Sequence, residues 1–457
     1  MLARGIRSYH RPTRLEDAMS LSAQGVKPLA GGTRLLAAAL EVPNVLDLSA
    51  LELVGLRVDE EDLIVGSMTT LQDVIDSPLA YAATAGILPA ACRAQSVSRM
   101  IRGMATLGGE SVHADPDSEV VAALLALNAV FLIAHPDEVR ESPALRFLRN
   151  PTEDLAGGGI VRSIMIPGAP HGAALERSAV LASAPPLLAV VATVTFAGEH
   201  CIRARIAFTG LEGRPTRVLE AEAQVERTIG TDAVLQRAVE QAVLHAPFRS
   251  DAHASASYRR EAARALTLRA LRRAVDQARN PVDLELPRAR PPQPHRAPTA
   301  LPYFTSGRIE ITVNGRPVRA EVEARTTLLD FLRGEGMLGA KAGCDTGQCG
   351  ACTVLLDGRP VNACLKLALH AQGRSVQTVE GLGTADALHR IQAAFVARGA
   401  VQCGFCTPGM QLAAKALLDA VPDPTEAEVR DALAGCLCRC TGYVKPIEAV
   451  LAAARRG

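Results

Sequence analysis

Nine of the eleven cysteines of this chain lie between Cys344 and Cys440, whereas only Cys92 and Cys201 lie in the first 300 residues. The opening residues do not form a secretory signal, so we expect a reducing compartment. Cysteines clustered at short spacings in such a protein indicate metal or redox chemistry rather than a disulfide framework. The asymmetry also predicts two halves with different chemistry.

The first cysteine group has gaps of four, two and eleven residues and consists of Cys344, Cys349, Cys352 and Cys364. Its first three members match the spacing of plant-type ferredoxins, and four thiolates can hold one 2Fe-2S cluster. Gly347 and Gly350 lie between them and allow the backbone to wrap closely and aim amides at the sulfur atoms. A structural zinc site is the alternative.

The second cysteine group consists of two pairs, Cys403 with Cys406 and Cys438 with Cys440. Two pairs from separate segments can form a second tetrathiolate site in a helical bundle. Zinc is a stronger alternative here, because a Cys-x-Cys pair is less specific. Cys436 has no place in two sites of four ligands, so we expect it, like Cys92 and Cys201, to be a small buried apolar residue.

The segment 280–302 is rich in proline and predicts an extended linker. After it, hairpin turns at Asn314-Gly315 and Asp357-Gly358 and one short helix predict a mainly β domain over 307–383. From 384 to 457 the period becomes helical. Its first helix is expected to carry Leu388, Ile391 and Phe395 on one face, and others start near Pro408, Thr425 and Pro446.

The residues before the linker mix helical and strand patterns, which predicts an α+β fold. Two glycine-rich segments stand out, PLAGGTRLL at 28–36 and MATLGGESVHADPDSE at 104–119. Neither is a GxGxxG fingerprint, but paired glycines allow backbone amides to approach a pyrophosphate. Taken alone, each segment is more consistent with an ordinary turn, because Gly-Gly pairs are common in loops.

The 457 residues exceed the size of one typical core and predict two to four domains. The formal net charge is +1, which gives no reason to expect binding to nucleic acid or to an anionic membrane. No segment has the apolar length of a membrane span. We therefore expect a soluble, cytoplasmic protein. No arrangement of residues predicts hydrolysis, and no catalytic residue is assigned to this chain.

The segments GCDTGQCGACTVLLDGRPVNACL, VQCGFCTPGM and LCRCTGY resemble the iron-sulfur part of the xanthine dehydrogenase and carbon-monoxide dehydrogenase family of molybdenum hydroxylases. The resemblance implies that the first cysteine group binds the cluster nearer the flavin and the second binds the cluster nearer the molybdopterin. It places Gln402 and Cys440 near the pterin. Cys436 departs from the family, which usually has asparagine there.

The glycine-rich segments resemble the FAD-binding subunit of the same family, together with SYHRPTRLEDA, VLDLSAL and SASYRREAARALTLRAL. The family usually has asparagine after the second Gly-Gly pair, where this chain has Glu110, and Arg34 is expected to compensate its charge. The residues that the resemblance places around FAD are Leu29, Ala30, Gly31, Gly32, Thr33, Arg34, Leu35, Leu36, Thr106, Gly108, Gly109, Glu110, Asp115 and Glu119.

The implied fold class is a multidomain α+β protein. It has a PCMH-type FAD-binding domain (1–170), a flavoprotein C-terminal α/β domain (171–279), a proline-rich linker (280–306), a plant-ferredoxin-like β-grasp domain (307–383) and a four-helix 2Fe-2S-binding bundle (384–457). The implied partner is a large molybdopterin-binding subunit, in a dimer of heterodimers. The electron acceptor is NAD, quinone or oxygen. The alternatives are a reductase that works without molybdenum, and an assembly protein with zinc at both cysteine sites.

Overall fold

The computed structural model describes residues 5–38, 42–281 and 298–455. They form two compact units, each built from separate stretches of the chain. The first unit contains the described residues of 5–52, 97–105 and 298–455, and the second contains 53–96 and 106–281. Most of the predicted linker, residues 282–297, lies outside the described residues.

The elements up to residue 154 are β1 (Ser8–Arg11), α1 (Leu15–Ala23), β2 (Lys27–Leu29), β3 (Asn44–Asp47), β4 (Leu56–Asp59), β5 (Asp62–Gly66), α2 (Leu71–Ile75), α3 (Pro78–Ala83), α4 (Ile87–Gln95), α5 (Arg99–Arg102), α6 (Leu107–His113), α7 (Glu119–Ala126), β6 (Val130–Ala134), β7 (Val139–Pro143), α8 (Ala144–Phe147) and α9 (Pro151–Asp154). Those up to residue 281 are β8 (Ile160–Ile166), β9 (Gly172–Ser178), β10 (Leu188–Ala197), β11 (His200–Phe208), β12 (Thr216–Arg217), α10 (Leu219–Val225), α11 (Asp232–His245) and α12 (Ala256–Arg279). The remaining elements are β13 (Leu301–Phe304), β14 (Ser306–Val313), β15 (Arg316–Glu323), α13 (Leu328–Gly334), β16 (Thr353–Leu356), β17 (Arg359–Asn362), β18 (Ser375–Gln377), α14 (Arg390–Ala397), α15 (Thr407–Ala420), α16 (Glu426–Leu433) and α17 (Val444–Ala454).

A five-stranded sheet in the order β15-β14-β18-β16-β17 forms the β part of the first unit. Both predicted hairpins are confirmed, because Val313 pairs with Arg316 and Leu356 pairs with Arg359 across two-residue turns. Asn314 and Asp357 adopt the positive φ angles that such turns require. The first cysteine group lies in the loop between α13 and β16 and just after β17.

Helices α14, α15, α16 and α17 form the helical part of the first unit around a shared apolar core. The capping box at Thr425 is confirmed, since its side chain accepts the Glu428 N–H and the Glu428 carboxylate accepts the Thr425 N–H. The prediction that Leu388 lies on the first helix is wrong. The helix begins at Arg390, and Leu388 precedes it and is 46% exposed, because His389 caps the helix.

A smaller sheet in the order β13-β1-β3-β2 also belongs to the first unit. β13 comes from the end of the predicted linker and pairs antiparallel with β1. The buried carboxylate of Asp47, at the end of β3, accepts hydrogen bonds from Tyr9 and Ser49 and lies 3.8 Å from Arg11. Burial opposes ionisation of Asp47, but the hydrogen bonds from Tyr9 and Ser49 and the charge of Arg11 hold its pKa below the usual value. His370 Nε2 lies 3.6 Å from the same carboxylate. Asp47 thereby joins residues near the chain start to residues near Cys364.

The second unit contains two sheets, in the orders β4-β5-β8-β6-β7 and β12-β11-β10-β9. The 24-residue helix α12 packs on β9 and β10, because its small apolar residues face that sheet. The predicted α+β character of this part is confirmed. Among the described residues of the whole chain, no helix is both long and apolar enough to cross a membrane.

Candidate functional site

The first cysteine group forms two contacting pairs, with Cys344, Cys349 and Cys352 in the loop after α13 and Cys364 just after β17. Cys344 lies within hydrogen-bonding reach of Cys349, and Cys352 lies within reach of Cys364. The sulfur of Cys344 also accepts the main-chain N–H groups of Gln348 at 3.2 Å and Cys349 at 3.3 Å. The structure therefore brings all four predicted ligands into one loop region and aims two amides at a sulfur atom.

The two sulfurs of the first pair have opposite acidities. The hydrogen bond from the Cys349 thiol and the nearby amides lower the pKa of Cys344 to about 4. The same hydrogen bond, together with burial, raises the pKa of Cys349 above its ordinary range. One thiolate is thus already stabilised by the fold, and thiolate is the form that binds metal. The hydrogen bond with Cys352 and burial raise the pKa of Cys364.

The second cysteine group also forms two pairs, and each pair joins two loops. Cys406 contacts Cys438, and Cys403 contacts Cys440. Cys406 is the N-cap of α15, while the other loop connects α16 to α17. All four line one recess together with Gln402. Within the described residues, no three His, Cys, Asp or Glu side chains already converge on a single metal ion, and the eight cysteines are arranged as these four pairs.

The two cysteine loops touch through their backbones. The N–H of Leu437 donates to the carbonyl oxygen of Cys349 at 2.9 Å. A Cβ atom at Gly350 would lie only 2.1 Å from the carbonyl oxygen of Gly435, so the close approach requires glycine. Sequence reasoning assigned Gly350 to the wrapping of its own loop and missed this contact, for which no local signal exists.

Three cysteines lie outside the pairs, as predicted, and are fully buried: Cys92, Cys201 and Cys436. The Cys436 sulfur lies 3.9 Å from the carbonyl oxygen of Gly350 and packs in the core of the helical bundle. Burial raises the pKa of Cys436 to about 12. A thiol in this environment stays protonated and behaves as an apolar side chain.

The first glycine-rich segment, Leu29 to Leu36, follows β2 in the first unit. Within the described part of the chain, the main-chain N–H groups of Gly31, Gly32 and Thr33 donate to no protein acceptor, although both glycines are buried. Gly32 has φ +76°. Consecutive N–H groups in such a turn form a concave site for an anion. The segment therefore fits a pyrophosphate without any change in the protein's own hydrogen bonds.

The second glycine-rich segment, in the second unit, uses its amides differently. The N–H groups of Leu107 and Gly108 donate to Thr69 and Ser67 carbonyl oxygens at 2.9 Å, and Thr106 Oγ1 accepts the Gly109 N–H at 3.0 Å. A Cβ at Gly108 would meet Ser67 at 2.7 Å. Gly108 thus allows α6 to approach Ser67 closely. A phosphate here would meet amides that already have acceptors.

The acidic residues of this segment have separate environments in the second unit. Glu110 is buried in the first turn of α6, where a carboxylate is favoured by the helix dipole. Asp115 Oδ2 lies 3.7 Å from His113 Nε2. Glu119 is buried and lies 3.0 Å from Arg177 Nε, and burial raises its pKa to about 7 against the lowering by Arg177. Sequence reasoning did not identify Arg177 as the partner of Glu119.

Four family models match consecutive parts of the chain. They describe an FAD binding domain in molybdopterin dehydrogenase (residues 4–169) and a CO dehydrogenase flavoprotein C-terminal domain (174–274). A 2Fe-2S iron-sulfur cluster binding domain (311–378) and a [2Fe-2S] binding domain (378–451) follow. Their order, flavin first and iron-sulfur second, agrees with the fold class predicted from the sequence.

The chain is similar to the small subunit of nicotine 6-hydroxylase from Paenarthrobacter nicotinovorans, with 52% identity over 31% of this chain and 87% of the relative. It is 46% identical to the xanthine dehydrogenase iron-sulfur-binding subunit of Escherichia coli over 31% of this chain and 91% of that subunit. A chain of CO dehydrogenase from Oligotropha carboxidovorans superposes with a TM-score of 0.54 and 27% identity, covering 58% of this chain and 96% of that one. The chain therefore belongs to the xanthine dehydrogenase and carbon-monoxide dehydrogenase family of molybdenum hydroxylases, as an electron-transfer member that joins the FAD-binding and 2Fe-2S parts in one polypeptide.

Proposed function

We propose that this chain carries electrons from a molybdenum centre on a separate, large subunit through two 2Fe-2S sites to FAD. The arrangement of eight cysteines in four contacting pairs, with a backbone hydrogen bond between the two groups, is the observation that carries this proposal. The substrate of the complex is then oxidised on the partner, and this chain supplies no catalytic residue of its own.

The cysteine pairs suit 2Fe-2S centres because each iron of such a centre takes two protein ligands. We assign the first centre to Cys344, Cys349, Cys352 and Cys364. We assign the second to Cys403, Cys406, Cys438 and Cys440. The amides that point at Cys344 support this assignment, since hydrogen bonds to the sulfurs tune such centres. We leave Cys436 out of both sets, because its sulfur lies near the Gly350 carbonyl oxygen and it belongs to none of the four cysteine pairs.

For FAD, the segment Leu29 to Leu36 is proposed to hold the pyrophosphate, with the unused N–H groups of Gly31, Gly32 and Thr33 as donors. Thr106, Gly108 and Gly109 are proposed to approach the cofactor through their Cα and side-chain atoms, because their segment's amides are used within the protein. We propose that Glu110, Asp115 and Glu119 lie on the side of the second glycine-rich segment that faces away from the cofactor. Arg34 is proposed to face the phosphates.

The order of transfer follows from the chemistry of the sites. A 2Fe-2S centre carries one electron at a time, whereas FAD stores two and passes them to an acceptor. Cys403 is exposed and Cys440 is half-buried, so the second cysteine group is the accessible entry point from a partner. Gln402 lines the same recess and is proposed to face the pterin. Leu437 then connects this group to Cys349 in the first group.

The partner is proposed to be a large molybdopterin-binding subunit. The nicotine 6-hydroxylase relative is itself named as a small subunit, and a CO dehydrogenase neighbour is named as a Cu,Mo enzyme. We further propose a dimer of heterodimers and NAD, quinone or oxygen as the acceptor.

Native co-purification with metal and cofactor analysis tests the proposal. A large partner, molybdenum, and about four irons and one FAD per chain are expected, the iron count following from two 2Fe-2S centres. Cys344→Ser and Cys403→Ser are each expected to remove the signal of one centre, whereas Cys201→Ser should remove none. Full iron retention in both of the first two variants would contradict the ligand assignment.

A flavin and iron-sulfur reductase that works without molybdenum is the second candidate. It would purify with full iron and FAD but without a partner, and it would oxidise NADH alone. The second cysteine group favours the first candidate, because Cys403 is exposed and its three companions are only half-buried, and a reductase for diffusible acceptors has no need to present this site to another protein.

A further inference from the structure

The side chain of Ile101 covers the first cysteine loop at Gly347. The Cδ1 atom of Ile101 lies 3.1 Å from the point where a Cβ atom of residue 347 would be, and Leu365 Cδ1 lies 2.2 Å from the same point. Gly347 is buried between Cys344 and Cys349. A wall of this cysteine loop is therefore built by a residue from the segment 97–105, which is remote from it in sequence.

Gly347 participates directly in the hydrogen bonding of the first cysteine group. Its N–H donates towards the sulfur of Cys364, and its carbonyl oxygen accepts the Asn362 side chain at 2.6 Å. Ile101 thus covers a peptide group that touches a proposed iron ligand. Water admitted at this point would reach that peptide group first.

The position of Ile101 is fixed by the residue that follows it. Arg102 is fully buried, and its Nη2 donates to both carboxylate oxygens of Asp431 at 2.8 and 2.9 Å. Its Nη1 donates to the Val97 carbonyl oxygen at 2.9 Å. Asp431 lies on α16 of the helical bundle, so that bundle holds α5, and with it Ile101, against the first cysteine loop.

We propose that Ile101 is a positioning residue that lowers the reduction potential of the 2Fe-2S centre at the first cysteine group by excluding water from Gly347, and that the pair of Arg102 and Asp431 holds it there. The inference rests on the proposed function, in which this cysteine group binds the centre nearer FAD. It adds a residue outside the cysteine motifs that sets how readily an electron leaves the first group.

The direction of the effect follows from electrostatics. Uptake of one electron adds one negative charge to the site, and water stabilises added charge more than an apolar side chain does. Solvent exposure is one of the factors that set the potential of these centres. Removing the cover should therefore raise the potential of the first centre and leave that of the second unchanged.

The test is a redox titration of the purified holoprotein with its partner, followed by the paramagnetic signals of the two centres, which Cys344→Ser and Cys403→Ser assign. For Ile101→Ala we expect the reduction potential of the first centre to rise by up to about 59 mV, which corresponds to a tenfold change in the equilibrium constant of a one-electron couple. Asp431→Asn is expected to shift the same centre in the same direction, although Asp431 lies in the bundle.

Val318→Ala is the matched control, because Val318 is also half-buried against the same core but lies on β15, at the edge of the sheet opposite to β17. It should shift neither potential. Should Ile101→Ala bind less iron, Ile101→Val carries the test with a smaller shift expected. Normal signals with an unshifted first centre, or equal shifts in Ile101→Ala and Val318→Ala, would overturn the inference alone. If the unmodified protein shows neither paramagnetic signal on reduction, the proposed function is overturned instead.

Discussion

The main-chain N–H of Leu437 donates a hydrogen bond of 2.9 Å to the carbonyl oxygen of Cys349. Leu437 directly precedes Cys438, so one hydrogen bond joins a residue of the first cysteine group to the neighbour of a residue of the second. No side chain separates the two loops at this point, because Gly350 lies against Gly435. This backbone contact therefore limits the distance between the two proposed centres.

Substitution of Gly350 should separate the loops. Gly350→Ala places a Cβ atom 2.1 Å from the Gly435 carbonyl oxygen and also forces alanine to adopt φ +68°. Because overlap and backbone strain add, we expect a loss of about 3 kcal/mol or more in stability. Iron bound at the second group should fall as well. Thermal unfolding and iron analysis measure both effects.

Gly358→Ala provides the control for that experiment. Gly358 has φ +80°, but no atom lies within 4 Å of the place that a Cβ atom would take there, so only the strain of about 1 kcal/mol remains. Iron content should be unchanged. Equal losses in the two variants would show that contact between the loops contributes nothing.

Cys436 should be dispensable for iron binding. Cys436 is 1% exposed and packs in the bundle core, whereas Cys438 contacts Cys406. Cys436→Ala is expected to keep full iron and to lose about 1 kcal/mol of stability, the cost of a small cavity. Cys438→Ala should lose the second centre. Iron analysis of both variants shows which of the two cysteines is a ligand of the second centre. Loss of iron from Cys436→Ala would identify Cys436 as a ligand.

Much of the fold could be predicted because its signals are local. Asn314-Gly315 fixes a two-residue turn through positive φ angles, and Thr425 with Glu428 fixes a helix start through a reciprocal pair of hydrogen bonds. The cysteine spacings likewise identified eight residues that the structure brings together in pairs. In each case the residues that carry the signal lie within a few positions of the structure they specify.

The remaining features depend on residues far apart in the chain. Arg102 and Asp431 are separated by 329 positions, and neither residue type indicates the other. β13 pairs with β1 although proline content predicts only an extended linker there. The apolar period predicts Leu388 on a helix, but His389 caps that helix one residue later. Periodicity identifies a helical face, whereas capping and tertiary packing set the helix ends.

The first glycine-rich segment should be required for FAD and not for iron. Gly31→Ala places a Cβ atom 1.9 Å from the Met104 carbonyl oxygen, so the segment must move and its unused N–H groups lose their arrangement. FAD content, read from absorbance after purification, should fall at least roughly tenfold, with iron retained. Gly25→Ala is the control, since no atom lies within 4 Å of the place that a Cβ atom would take there, although Gly25, unlike Gly31, has a positive φ. Full FAD in Gly31→Ala would contradict the assignment.

His370 should make the first unit sensitive to acid. Its Nδ1 accepts the Leu367 N–H at 3.0 Å, so the neutral ring carries its proton on Nε2, 3.6 Å from the Asp47 carboxylate. Burial lowers the pKa of His370 to about 3. Below the ordinary pKa of about 6.5 the unfolded chain takes up a proton at this histidine that the folded chain does not. The free energy of unfolding therefore decreases as the pH is lowered, and at about pH 5.5 it is about 1.4 kcal/mol smaller than at neutral or higher pH. Tm should therefore fall between about pH 7.5 and 5.5 in the unmodified protein and in the exposed-site control His253→Gln, and fall less in His370→Gln. An unchanged acid slope in His370→Gln would show that other groups cause it.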